Sequence, residues 1–484
     1  MSTTELPPGW EKACLGDVLL RVEAGKSFTC EPRQARPDEW GIIKVSAMTW
    51  GQFDEGENKA VPEGREVNPA YEIQAGDILV SRANTRSYVG APVLVGNTRP
   101  RLLLSDKSLR LVPGESINKR WLVHFLSSPA ARDFVSETAT GTKDSMRNIS
   151  QQALLKMPMA VPPLAEQLRI ADVLEDYLSR LDVAEASIRR SVRRSDHAWA
   201  SVLNSVARGD LNGRTVHAGL RLVSEVAVVG GGIQKQQKRR PVRNTFPFLR
   251  VANVARGKLD LDEIHQIELF DGELERYQLE RGDLLVVEGN GSPDQIGRAA
   301  TWRGEISHAV HQNHLIRVRP SEELLPRYLE LIWNSPLVID QLREVSRSTS
   351  GLYTLSTAKV KSVKIPVPSL ADQESLVDDA DIWETRINAA RVVLQSAAAR
   401  SRHLRNSVLN KALAGALIPQ DPQDEPASTL LERIEIERAK GVKRRSNRTP
   451  RPRRAAAAVA AEPYLTPSVI TPIPSDAIQQ EFEL

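Results

Sequence analysis

The chain of 484 residues has only two cysteines, Cys14 and Cys30. A disulfide framework is therefore excluded, and a reducing compartment is expected. The pair is unflanked by histidine, so it cannot build a structural zinc site. Long apolar runs are missing as well; none approaches the roughly 18 residues a bilayer span needs. The start, Met1 to Pro8, has neither a basic nor an apolar region, so no secretory signal is expected. Catalytic motifs are equally scarce. Gly25-Lys26-Ser27 resembles the end of a phosphate-binding loop, but Leu20 stands where the loop glycine belongs. Gly230-Gly231-Gly232 lacks dinucleotide-binding spacing, and no Asn/Asp-Pro-Pro-Tyr/Phe methylation motif occurs. Asp38, Glu57 and Lys59 form a permissive nuclease-like pattern. His308, His311 and His314 recur at three-residue steps within a strand-like segment, which argues against a shared metal.

What is present is a repeat and a charged tail. Arg438 to Arg454 holds nine basic residues and no acid; removing them from the net +4 leaves the rest at −5. Any nucleic-acid contact by the folded part must then be local. With an offset of 206, Val45, Gly51, Asp54, Gly76-Asp77 and Asn84 match Val251, Gly257, Asp260, Gly282-Asp283 and Asn290. Ser150, Val161-Pro162, Leu164-Ala165, Gln167, Gly209 and Leu211 match Ser356, Val367-Pro368, Leu370-Ala371, Gln373, Gly415 and Leu417. One register held this long indicates tandem duplication.

Each copy opens with short strands and turns, then short helices, which predicts a mixed α+β fold. A proline-rich boundary then starts a long helix in each copy. Leu174, Leu178, Leu181, Ala184, Ile188, Val192 and Trp199 recur at coiled-coil steps. So do Ala380, Ile387, Ala390, Leu394, Ala397, Leu404 and Val408. Gly209 and Gly415 suit helix C-caps. A helix over 164–208 would be about 65–70 Å long. Beyond Pro419, Thr429 to Glu432 suggests a short capped helix, and 440–484 has a disordered composition.

These motifs resemble one family. Leu6-Pro7-Pro8-Gly9-Trp10, Leu15-Gly16-Asp17, the Gly-Asp strands, the Pro-Pro-Leu-Ala-Glu-Gln and Pro-Ser-Leu-Ala-Asp-Gln helix starts and Leu417 to Ala427 are similar to specificity subunits of type I restriction–modification systems. The resemblance covers about residues 1–440. It implies two α/β target-recognition domains at 1–160 and 214–366. It also implies two long spacer helices at 161–213 and 367–418, paired as an antiparallel coiled coil with pseudo-two-fold symmetry. Residues 419–484 are expected to be a largely disordered extension. The resemblance further implies a non-catalytic, cytoplasmic (prokaryotic) subunit that reads a split site on double-stranded DNA. Its partners would be modification subunits, two of them, and restriction subunits. S-adenosylmethionine, ATP and Mg would belong to those partners, with no cofactor, metal or membrane contact here.

Base reading needs Arg or Lys for guanine, Asn or Gln for adenine, and hydroxyls for either. The candidates in copy one are Arg82, Asn84, Arg86, Ser87, Tyr88, Lys107 and Lys143. In copy two they are Lys235, within the basic insert Lys235–Arg243, and Asn290, Ser292, Gln295, Gln312, Asn313, His314 and Tyr353. Asn84 and Asn290 could equally serve a turn. Arg189, Arg190, Arg193 and Arg194 form either a solvated helix flank or a phosphate rail. A scaffold without sequence reading, and a nuclease using Asp38, Glu57 and Lys59, are the alternatives.

Overall fold

The computed structural model describes residues 6–49, 51–141, 146–290, 295–346 and 353–446. The duplication appears as two units with matching sheets. In unit one, four antiparallel strands run in the order Leu19–Ala24, Ser108–Pro113, Ile78–Ser81, Pro92–Leu94. In unit two the order is Ala227–Gly231, Leu315–Pro320, Leu284–Val287, Ala299–Thr301. Each unit adds a three-stranded sheet with one parallel pairing: Asn58–Ala60, Gly41–Ile43, Leu102–Leu103 and His265–Glu268, Thr245–Leu249, Val310–His311. Two short ladders complete the match. Ala83–Asn84 pairs Arg147–Asn148 as Gly289–Asn290 pairs Tyr353–Thr354. Glu11–Cys14 pairs Pro158–Val161 as Leu220–Leu222 pairs Lys364–Pro366.

The apolar run after each Gly-Asp turn is buried on both faces, which explains its lack of alternation. Ile78 and Val80 pack on Trp121 and Leu122, while Leu79 faces Ile43, Met48 and Val93. Leu284 and Val286 pack on Tyr328 and Trp333, while Leu285 and Val287 face Leu249 and Trp302. The turn itself needs glycine, since Gly76 and Gly282 have φ of 83° and 101°. The following carboxylate closes it. Asp77 accepts the Gln74 N–H at 3.0 Å and Asp283 accepts the Glu280 N–H at 2.8 Å. An arginine on the neighbouring strand holds each acid: Arg110 at 2.9 Å and Arg319 at 2.7 Å.

Helix α1 (Leu164–Arg208) and helix α2 (Leu370–Leu413) are 45 and 44 residues long. Gln167 and Gln373, both fully buried, fasten each helix to its own unit. Their carbonyls accept the Asn118 and Leu325 N–H at 2.9 and 2.8 Å, and their amides donate to Pro162 and Pro368. The repeated glutamine is thus a latch. The helices pack antiparallel. Asp196 meets Arg391 at 2.7 Å, Ser401 donates to Glu185 at 3.1 Å, and Asp182 meets Arg405, so partner numbers fall as the others rise. The start of α1 (Ile170, Ala171, Leu174) and the end of α2 (Val408, Leu409, Ala412) lie in one core. The end of α1 (Val202, Leu203, Val206) and the start of α2 (Leu376, Ala380, Ile387) lie in the other. The units therefore sit at opposite ends of a rod.

The seam repeats every seven residues through Gln167, Leu174, Leu181, Ile188, Ser195 and Val202, and through Gln373, Ala380, Ile387, Leu394, Ser401 and Val408. Four residues expected on it lie outside: Leu404 is 50% exposed, Val192 36%, and Ala184 and Ala390 are exposed. Polar residues win these places because Arg391 and Arg405 can lay their stems along the seam and pair with acids at its edge.

The C-terminal region differs from the expectation of a largely disordered extension. Helix α3 (Ala427–Ser446) starts two residues before Thr429, at an Ala427 N–H that donates to Gly9. Ala427, Leu430 and Ile434 are buried in the core of unit one. Arg438 donates to the carbonyls of Gly16, Asp17 and Leu19, so this basic residue is structural. Gln420 and Trp10 both donate to the buried Glu166, at 3.3 and 2.9 Å, joining the N-terminal segment to the stretch before α3. The expected disorder of 447–484 lies outside the described residues.

Candidate nucleic-acid interface

At one end of the four-stranded sheet of unit one, separate loops converge. The Arg82 N–H donates to Lys107 at 2.8 Å, Ile149 donates to Arg82 at 3.0 Å, and Ser27 donates to Asp106 at 2.6 Å. Gly25 is required there, because a Cβ would overlap the Leu104 and Ser105 carbonyls. Arg86, Ser87 and Lys107 are exposed, and Arg82 and Tyr88 are half-buried. Arg132 braces this loop through the Ser87 and Val89 carbonyls, each at 2.8 Å. Asn84 turns inward. It is 9% exposed, its amide donates to Ser81 at 3.3 Å, and its carbonyl accepts the Thr85 N–H at 2.8 Å. This is the turn role rather than base reading. Lys143 lies outside the described residues.

Beside the loops is a groove of about 620 Å³ lined by Lys44, Lys59 and Lys107 with Ser27, Thr29 and Ser46. Of the nuclease-like trio, Lys59 lines this groove, and Asp38 and Glu57 do not. Glu57 is held by Ser46 and by Lys44 at 3.3 Å, and its counterpart Glu263 is held by Arg250 at 3.2 Å and His265 at 2.8 Å. This acid is a shared brace. Among the described residues no group of three or more His, Cys, Asp or Glu could hold a metal.

Unit two repeats the convergence. The Glu288 N–H donates to His314 at 2.9 Å, Leu355 donates to Glu288 at 2.7 Å, and Asn313 donates to Ile233 at 2.9 Å. Gly232 repeats Gly25, its missing Cβ leaving room for the His311 and Gln312 carbonyls. Lys235, Gln295 and His314 are exposed, and Gln312 and Asn313 are half-buried. Asn290 and Tyr353 are backbone register partners on the short ladder, while Ser292 lies outside the described residues. His311 is not at the surface. It is fully buried, its Nδ1 bonds Leu315 at 3.0 Å, and burial with nearby Arg317 pushes its pKa down to about 4. Within the basic insert, Arg239 is bound to Glu273 at 2.7 and 2.8 Å and stacks on Phe270, so its charge is already paired. Lys235, Arg240 and Arg243 remain exposed. Arg189, Arg190, Arg193 and Arg194 are all exposed on α1. Sequence reasoning missed Glu288, although the 206-residue offset sets it opposite Arg82.

A family model described as the type I restriction modification DNA specificity domain matches residues 7–191. The chain is 26% identical to the EcoKI specificity subunit of Escherichia coli K12, over 91% of this chain and 97% of the relative. It is 25% identical to the StySPI specificity subunit of Salmonella potsdam, again over 91% and 97%. Over most of its length the chain is similar to specificity subunits of type I restriction–modification systems. The fold agrees. A solved structure described as bearing on assembly and conformational transition of a type I system superposes with a TM-score of 0.62 at 18% identity. It covers 86% of this chain and all of that one. The chain carries its two sets of loops on the equivalent ends of equivalent sheets. Among the described residues no helix is long and apolar enough to cross a membrane.

Proposed function

We propose that this chain is a specificity subunit that reads a split site on double-stranded DNA, one half-site with each unit, and directs partner subunits that methylate and cut. The observation that carries this reading is the placement of two like sets of polar loops at opposite ends of an antiparallel helix pair. A rod of about 65 Å, at 1.5 Å per residue, approaches two turns of duplex at about 34–36 Å each. Two short half-sites with an unread spacer suit that distance. The loops present donors and acceptors, while Lys44 and Lys59 in the adjoining groove offer charge to phosphate. Catalysis is assigned to the partners: two modification subunits using S-adenosylmethionine, and restriction subunits using ATP and Mg. The setting is the prokaryotic cytoplasm.

The test is methylome sequencing of cells carrying the intact complex. A split methylated motif is expected. Replacing unit one by that of another specificity subunit should change one half-site alone. A contiguous motif, or both halves changing together, would reject the reading. Lengthening both helices by one heptad should widen the spacer by about three base pairs, since seven residues add about 10 Å. An unchanged spacer in a folded variant would show that the rod is not the ruler.

A further inference from the structure

Equivalent positions in the two units carry opposite chemistry at one spot. The Arg82 N–H bonds the Lys107 carbonyl as the Glu288 N–H bonds the His314 carbonyl. Among the described residues, the Arg82 and Lys107 side chains enter no ion pair, and Lys107 opens onto the lysine-lined groove. In unit two, Glu288 and His314 pair at 2.8 Å, with side chains 26% and 56% exposed. Arginine and lysine only donate hydrogen bonds, whereas an ionised glutamate only accepts.

We propose that this pair is a specificity determinant in each unit. Arg82 with Lys107 selects a guanine, whose major-groove edge offers two acceptors, and Glu288 with His314 selects a base displaying an amino group, cytosine or adenine. The proposal rests on the DNA-reading function above. A carboxylate facing a polyanion opposes binding, so it serves selection rather than affinity. His314 Nδ1 engages one oxygen of Glu288 at 2.8 Å and leaves the other to accept from a base. The neighbouring groups agree. Ser105 and Asp106 of unit one are replaced by the amides Gln312 and Asn313, so unit two offers more paired donors and acceptors.

The experiment is methylome sequencing of cells carrying the intact complex with the wild-type chain, with E288R/H314K, or with R82A. In E288R/H314K, one position of the unit-two half-site should change from cytosine or adenine to guanine, with the other half-site unchanged. R82A, which alters an independent site, should relax one guanine of the unit-one half-site, with discrimination falling roughly 10- to 100-fold. Altered recognition in both half-sites would overturn the proposal. So would an unchanged motif, or uniformly weaker methylation with both motifs intact, the mark of a phosphate contact. A wild-type complex giving no split motif would reject the DNA-reading function itself, and the pair with it.

Discussion

Unit one and unit two share their sheets, their Gly-Asp turns, their glutamine latches and the glycines at 25 and 232. They differ in what fills equivalent positions and in what covers them. Leu104 of unit one becomes His311, Arg82 becomes Glu288, and among the described residues α3 packs on unit one with no counterpart on unit two. The shared parts are those where backbone polar groups or φ leave little choice. The divergent parts lie where a side chain meets solvent, a ligand or a chain terminus. Duplication has kept the frame and freed the contents.

Removing α3 should break the comparison most. Ending the chain after residue 426 deletes Ala427, Leu430 and Ile434 from the core of unit one, with the Arg438 bonds to its backbone. Losing a buried Leu or Ile alone costs about 2–5 kcal/mol, so unit one should lose more than about 5 kcal/mol. Hydrogen exchange should show faster opening around Trp10 and Leu109, with unit two unchanged. Equal loss of protection in both units would mean that α3 stabilises the rod rather than one unit.

A second asymmetry is pH dependent. His311 is buried with its Nε2 unpartnered and a pKa of about 4. Its unfolded value is about 6.5. The contribution is complete above the unfolded value, where both states hold neutral imidazole. As pH falls through 6.5 toward 4, the unfolded state takes a proton that the folded state refuses. Unit two should lose roughly 3 kcal/mol across that window. His311→Leu, which installs the unit-one residue, should remove the loss. A wild type and variant with parallel pH profiles of unit-two exchange would show that His311 stays neutral in both states.

The shared latches should behave alike. Gln167→Ala and Gln373→Ala each strand a partly buried N–H and one or more carbonyls. Each should cost about 1–3 kcal/mol, measured by chemical denaturation. A cost confined to one would mean that the two helix starts are not equivalent.

The duplication, the long helices and the Gly-Asp turns were legible because they rest on periodicity, or on residues whose backbone geometry is unusual. The docking of α3 was not. Ala427, Leu430 and Ile434 make too short an apolar face to reveal its partner, and the adjoining basic run favours a reading as disorder. The loops were found as polar segments, but side-chain direction was hidden. Asn84 folds inward on Ser81, Arg239 spends its charge on Glu273, and His311 is buried by strand pairing across Gly232. Each depends on residues distant in sequence.

The smallest expected effect concerns the rod, where the comparison is between the helices themselves. The acids Asp182, Glu185 and Asp196 lie on α1, and the arginines Arg391 and Arg405 on α2. The shared register places Arg391 at the position of Glu185, and Arg402 at that of Asp196. A pairing of α2 with a second α2 would therefore set Arg391 against Arg402, and α1 with α1 would set acid against acid. The charge division favours the unlike pair within one chain. These groups are substantially exposed, so each pair should contribute only about 0.2–1 kcal/mol. Arg391→Glu and Asp196→Arg should each destabilise the chain by about that much, and the double reversal should recover most of it. A double-mutant cycle in the full chain measures the coupling. Strict additivity would show that the seam alone selects the partner, through its heptad apolar contacts.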